Sequence, residues 1–119
     1  MTVTLDLFRN ETEGVTFTKG QRIFSAGDPA DAMYVVLEGE VEITIRGKIV
    51  ETLGPGGVLG EMALIDRSPR TATATAGSGC KLAVIPEKRF LFMLQQTPHF
   101  SLQIMRVIAE RLRRMDERV

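Results

Sequence analysis

The sequence predicts a mainly β domain with flanking helices, an antiparallel barrel or sandwich followed by two C-terminal helices. Three observations predict it. Short β-type runs separated by turn residues fill the first half, a glycine-rich interval lies between Gly54 and Gly60, and helical periodicity takes over from Pro86. With 119 residues, 44% of them hydrophobic, the chain can build one core. A single domain over residues 1–119 is expected, with strands over about 14–86 and C-terminal helices over about 86–118.

Leu5, Leu7 and Phe8 suggest a short amphipathic N-terminal helix, too brief to hold its shape unless it docks as a flap on the rest. From Val15 the β-type runs are Val15–Thr18, Arg22–Phe24, Met33–Leu37, Val41–Ile45 and Ile49–Leu53. Lys19-Gly20, Gly27-Asp28-Pro29, Glu38-Gly39 and Arg46-Gly47 punctuate them as turns. Apolar residues crowd the central run, whereas Val41, Ile43 and Ile45 alternate with Glu42, Thr44 and Arg46, the pattern of a strand with one wet face. Two more β-like runs, Thr71–Thr75 and Lys81–Ile85, follow the glycines. Pro86 and Thr97-Pro98 then each mark a helix start. In the second helix Phe100, Ile104, Ile108, Leu112 and Met115 form an apolar stripe, which leaves Arg106, Glu110, Arg113 and Asp116 to solvent. Core packing is the expected role of that stripe, a dimer seam its alternative.

Composition excludes several classes. Fifteen basic residues balance fifteen acidic ones, so no overall field holds a nucleic-acid backbone or an anionic membrane, and an anion must be caught locally. The single cysteine, Cys80, cannot form an internal disulfide and agrees with a reducing compartment. No apolar stretch reaches the ~20 residues of a membrane helix and the N-terminus lacks a signal-peptide pattern, so a cytoplasmic protein is expected. One histidine, His99, does not build the ligand shell of a metal-dependent barrel enzyme, and neither a nucleophile elbow nor a P-loop is present. The expectation is no catalysis, no metal and no cofactor.

The informative segment runs from Gly56 to Thr75. Gly60 lets the backbone turn so that successive amides converge, and Glu61-Met-Ala-Leu-Ile reads as one helical turn whose N-terminus favours negative charge. Nine residues beyond Glu61, Arg70 brings a planar fork that pairs with two phosphate oxygens. An acidic side chain is wrong for an anion unless it reaches a hydroxyl, as a ribose would offer. Glu61 and Arg70 together therefore read as a sugar-plus-phosphate site.

Leu59-Gly60-Glu61-Met62-Ala63-Leu64 and Pro69-Arg70-Thr71-Ala72-Thr73 resemble, in order and spacing, the phosphate-binding cassette of the cyclic nucleotide-binding domains found in catabolite activator proteins, regulatory subunits of cyclic-AMP-dependent kinase and cyclic-nucleotide-gated channels. Gly27-Asp28-Pro29-Ala30-Asp31 and Tyr34–Gly39 are similar to that family's early strand-and-turn signature. The resemblance implies an antiparallel β-roll of jelly-roll type with a short N-terminal helix, a one-turn cassette helix and two C-terminal helices. It implies a cyclic nucleotide as ligand, cyclic AMP preferred and cyclic GMP the alternative, because a Thr at position 71 also occurs in members that bind cyclic GMP. Backbone amides of Gly60, Glu61, Met62 and Ala63 with the Arg70 guanidinium would take the phosphate. The Glu61 carboxylate would take the ribose hydroxyl, and Thr71 would add a donor. Ile43, Val50 and Leu59 would line the base pocket, with the last helix as a lid.

The expected role is a regulatory sensor whose C-terminal helices move on binding, without direct nucleic-acid contact or membrane insertion. Its expected partners are the nucleotide and either an effector protein or a second copy through the last helix. A stand-alone bacterial sensor is expected, with the excised regulatory domain of a channel, kinase or transcription factor as the alternative. A nucleotide-blind interaction module of the same fold is the remaining reading.

Overall fold

The computed structural model describes residues 13–117 and, within the last helix, side chains up to Arg114. The N-terminal helix expected from Leu5, Leu7 and Phe8 lies outside the described residues, as does the side chain of Met115. Eight strands and three helices follow in chain order: β1 (Val15–Phe17), β2 (Arg22–Phe24), β3 (Ala32–Glu38), β4 (Val41–Ile45), β5 (Lys48–Leu53), β6 (Val58–Leu59), α1 (Glu61–Asp66), β7 (Thr73–Ala76), β8 (Cys80–Pro86), α2 (Glu87–Gln96) and α3 (Pro98–Glu117).

The strands form two four-stranded sheets, β1-β8-β3-β6 and β2-β7-β4-β5, with antiparallel pairing throughout. This is the mainly antiparallel β-roll with C-terminal helices that the sequence predicts. Alternation along β3 and β8 explains the layering. Val36, Leu82 and Cys80 point between the sheets and meet Val41, Leu53, Leu59, Ala74 and Ala76. Met33, Val35, Ala83 and Ile85 point the other way and meet Phe90 of α2 with Phe100, Ile104 and Val107 of α3. The sheet containing β3 is thus buried on both faces, which is why Met33–Leu37 reads as a continuous apolar run. Phe90 and Phe100 meet edge to face at 5.9 Å, an arrangement that locks α2 to α3 over the sheet.

Three local expectations shift. Thr71 and Ala72 precede β7, which begins at Thr73, because the backbone of Arg70 is held by the turn at Gly27 and Asp28. The glycine-rich interval contains the two-residue strand β6, recruited to the edge of β3 through Tyr34 and Val35. The apolar stripe of α3 divides: Phe100 and Ile104 are buried, with Val107 taking the next inward place, Ile108 is half-buried and Leu112 is 54% exposed. Burial raises the Cys80 thiol above its usual pKa, as a small strand residue in the core should show.

Candidate functional site

One end of the roll holds a cavity of about 380 Å³, bounded by the cassette, by β4 and β5, and by the C-terminal half of α3. All nine residues singled out from sequence lie on it: Gly60, Glu61, Met62, Ala63, Arg70 and Thr71 of the cassette, and Ile43, Val50 and Leu59 of the apolar wall. Gly60 caps α1 with φ of 83°, a left-handed conformation natural to glycine. A Cβ there would lie 2.6 Å from Nη1 of Arg70, so glycine is needed for space as well as for φ. The first amides of α1, those of Glu61, Met62 and Ala63, have no earlier helical carbonyl to bond, and no side chain caps the helix, the arrangement in which a helix start takes an anion.

Arg70 is 4% exposed. Its backbone N–H donates to the Asp28 carbonyl and its carbonyl accepts from the Gly27 N–H, which fixes the root of the side chain. Nη1 donates to the Gly60 carbonyl at 2.7 Å, Nη2 to the Ala32 carbonyl at 2.5 Å, and the guanidinium lies 4.2 Å from the centre of the Phe24 ring. Burial lowers its pKa, opposed by Tyr34, Asp31 and Asp28, and an arginine so placed keeps its charge. The backbone carbonyls take two of the five donors of the fork, while Nε is buried without a partner.

Glu61 is fully buried. Its Oε1 accepts from Nη1 of Arg111, whose Nη2 donates to the Val58 carbonyl, whereas Oε2 is buried without a partner. Buried polar atoms are nearly always satisfied. The two unsatisfied ones here are an acceptor suited to a hydroxyl and a donor suited to an anionic oxygen, both on residues that line one cavity. A sugar phosphate carries the complement of both.

The polar side of α3 meets the solvent expected of it only in part. Arg106 and Arg113 are exposed, but Arg111 and Arg114 turn into the cavity. Arg114 Nη1 donates to Glu51 Oε2 at 2.7 Å and its Nη2 to Glu110 at 3.1 Å, so Glu110 too is taken out of bulk solvent. Arg111 Nε lies 3.5 Å from Glu51 Oε1. Burial lowers the pKa of Arg111, with Glu51 raising it and Arg114 adding to the lowering. Glu51 was not anticipated from sequence. The β4–β5 register slips by one residue between Ile43 and Thr44, so Ile43 faces Glu51 while Thr44 faces Ile49, leaving Val50 as the extra residue. That bulge lets the neighbours Val50 and Glu51 both reach the cavity, where a regular strand would send one away.

A family model described as the cyclic nucleotide-binding domain matches residues 14–97. The chain belongs to the cyclic nucleotide-binding domain family. Among curated relatives, this cyclic nucleotide-binding domain is 29% identical over 109 residues to the CRP-like cAMP-activated global transcriptional regulator of Mycobacterium tuberculosis, an alignment that covers 87% of the chain and 49% of the regulator. The chain thus spans about half the length of that relative. Among solved structures, the catabolite activator protein of Thermus thermophilus superposes with a TM-score of 0.82 at 30% identity, covering 95% of this chain and 55% of that one. A cGMP-bound EAL enzyme superposes with a TM-score of 0.69 at 33% identity, over 88% of this chain and 29% of the enzyme; its cAMP-bound form gives the same score and identity. Among the described residues no helix is long and apolar enough to cross a membrane, and no cluster of three or more His, Cys, Asp or Glu could hold a metal ion.

Proposed function

We propose that this domain is a non-catalytic regulatory sensor that binds cyclic AMP in preference to cyclic GMP and acts in the cytoplasm. The observation that carries the reading is the pair of buried, unpartnered atoms, Oε2 of Glu61 and Nε of Arg70, on one cavity. The phosphate lies on the Glu61–Ala63 amides and Arg70, with Thr71 as a further donor, and the ribose 2′-hydroxyl donates to Oε2 of Glu61. Ile43, Val50 and Leu59 face the base. The cAMP-activated regulator among its relatives supports cyclic AMP, while the EAL enzyme, solved in cGMP-bound and cAMP-bound forms, keeps cyclic GMP as the alternative ligand. Titration calorimetry of the full chain should give saturable, near-stoichiometric binding of cyclic AMP. No heat with either nucleotide at millimolar concentration would leave the nucleotide-blind module as the better reading.

The output is a shift of α2 and α3, whose hinges are Pro86 and the Thr97-Pro98 junction between the helices. Binding moves them only as far as the nucleotide prefers one arrangement, and the ion pairs from Arg111 and Arg114 to Glu61 and Glu51 supply that preference.

A second copy of the chain is the proposed protein partner. Leu102, Met105, Ala109 and Leu112 recur at intervals of three, four and three along the outer face of α3, and Leu102, Met105 and Leu112 are 41%, 59% and 54% exposed. This is the spacing of a two-helix seam, which is self-complementary about a two-fold axis. Sedimentation equilibrium should show a dimer that Met105→Glu with Leu112→Glu dissociates, and a monomer at every concentration would overturn this partner.

A further inference from the structure

We propose that Glu51 is the residue that reads the base, accepting a hydrogen bond from the exocyclic amine at the C6 edge of a purine. The proposal rests on the cyclic-nucleotide reading of the cavity and adds a specificity determinant to it.

Its location follows from covalent chemistry. In a cyclic nucleotide the base leaves C1′, the carbon next to the one that bears the 2′-hydroxyl, so a carboxylate that takes the hydroxyl fixes where the base begins. Glu61 is that carboxylate. A single guanidinium, Arg111, bridges from Oε1 of Glu61 to within 3.5 Å of Oε1 of Glu51. Glu51 therefore stands one guanidinium beyond the ribose, at base distance. The strand pairing sets Ile43 directly opposite Glu51, and Val50 precedes it on the bulge, so an apolar wall adjoins the carboxylate.

Elimination leads to the same residue. Of the charged groups on the cavity, Arg70 serves the phosphate, Glu61 the ribose, and Arg111 is engaged by Glu61 and Val58. Glu51 and Arg114 remain, paired with each other and with Arg111 and Glu110 but committed to neither phosphate nor ribose. A carboxylate offers about four lone-pair sites, and the bonds from Arg111 and Arg114 use two, so acceptor capacity remains. With a side chain only 13% exposed, it has little water to satisfy that capacity.

A carboxylate that faces the C6 edge accepts and does not donate, so at that edge it takes the adenine amine, whereas guanine's donors, N1–H and the 2-amine, lie beyond its C6 oxygen. The C6 edge of adenine presents an amine donor flanked by the acceptors N1 and N7. It shows the same acceptor–donor–acceptor order whichever way the base turns about its glycosidic bond. With the amine on Glu51, N1 or N7 beside it can accept from the Arg114 guanidinium. Guanine carries an oxygen at C6, which would put acceptor against acceptor at that edge.

The test is a displacement titration of the full chain with cyclic AMP, cyclic IMP and cyclic GMP, on the native protein and on Glu51→Gln. Cyclic IMP differs from cyclic AMP in the C6 group and has no 2-amine. The expected result is that cyclic IMP and cyclic GMP both bind roughly tenfold or more weaker than cyclic AMP. Glu51→Gln, whose amide can donate or accept, should bring the three ligands close together. Equal binding of cyclic AMP and cyclic IMP to the native chain would overturn the proposal, as would cyclic GMP binding well above cyclic IMP, which would place the contact at the 2-amine. Discrimination unchanged in Glu51→Gln would assign base reading elsewhere. Absence of binding by all three would overturn the cyclic-nucleotide reading itself, a result distinct from the other outcomes.

Discussion

Arg70→Ala is expected to weaken cyclic AMP binding by roughly 2–5 kcal/mol while leaving the roll folded, a loss on the scale of a desolvated charge contact. Removing the side chain deletes the guanidinium that the proposed site offers the phosphate. Two consequences oppose each other in stability. The carbonyls of Gly60 and Ala32 lose their guanidinium donors, and a buried cation with a lowered pKa disappears. The near cancellation separates affinity from folding, so calorimetry and a denaturant melt on the same sample distinguish the two. Arg70→Lys should recover only part of the affinity, because a lysine cannot bond two divergent carbonyls and still present a planar fork. An affinity within twofold of the native value in Arg70→Ala would remove this side chain from the site.

Arg111→Ala should act mainly on stability, at about 3 kcal/mol, the low end for breaking a buried pair because the arginine is 19% exposed while Glu61 is wholly buried. The carboxylate would be left with no charged partner, and the Val58 carbonyl with no guanidinium donor. The same change detaches the C-terminal half of α3 from the cavity, so amide hydrogen exchange there should accelerate more than in β3 or β8. Adding Glu61→Gln in the same chain should recover much of the lost stability, since the uncompensated charge is then gone. If the double variant were no more stable than Arg111→Ala, the cost would lie in packing and not in the ion pair. Equal exchange rates in α3 and the sheets would show that Arg111 does not hold the helix.

The cassette was legible because its chemistry is local. Gly60, Glu61 and Arg70 fall within eleven residues, and a short helix start beside a planar cation has few other uses in that order. The β-roll was legible because turn residues separate runs of the right length. Arg111, Arg114 and Glu51 were not, for different reasons. Arg111 lies fifty residues from its partner Glu61, and mixed charge around it reads as a wet helix face. The usable signal was the inward stripe Phe100, Ile104 and Val107, which the same three-and-four spacing continues to Arg111 and Arg114. Glu51 was hidden by the bulge at Val50, since strict alternation would put the two neighbours on opposite faces. The strand β6 was hidden by its glycines, which favour a turn by composition, although Val58 and Leu59 are taken up by β3.

The pairing of β8 with both β1 and β3 has a consequence for how the molecule is made. A growing chain that has emerged only as far as Ala76 possesses β1 and β3 but nothing to join them, because the strand between them is still to come. Completion of that sheet must wait for the stretch Cys80–Pro86, and once it arrives the α2 segment follows directly, with no spacer to delay its docking. The sheet that carries the helices therefore closes last, after β2, β7, β4, β5 and the cassette side of the pocket have emerged, and α3 then adds Arg111 and Arg114 to that pocket.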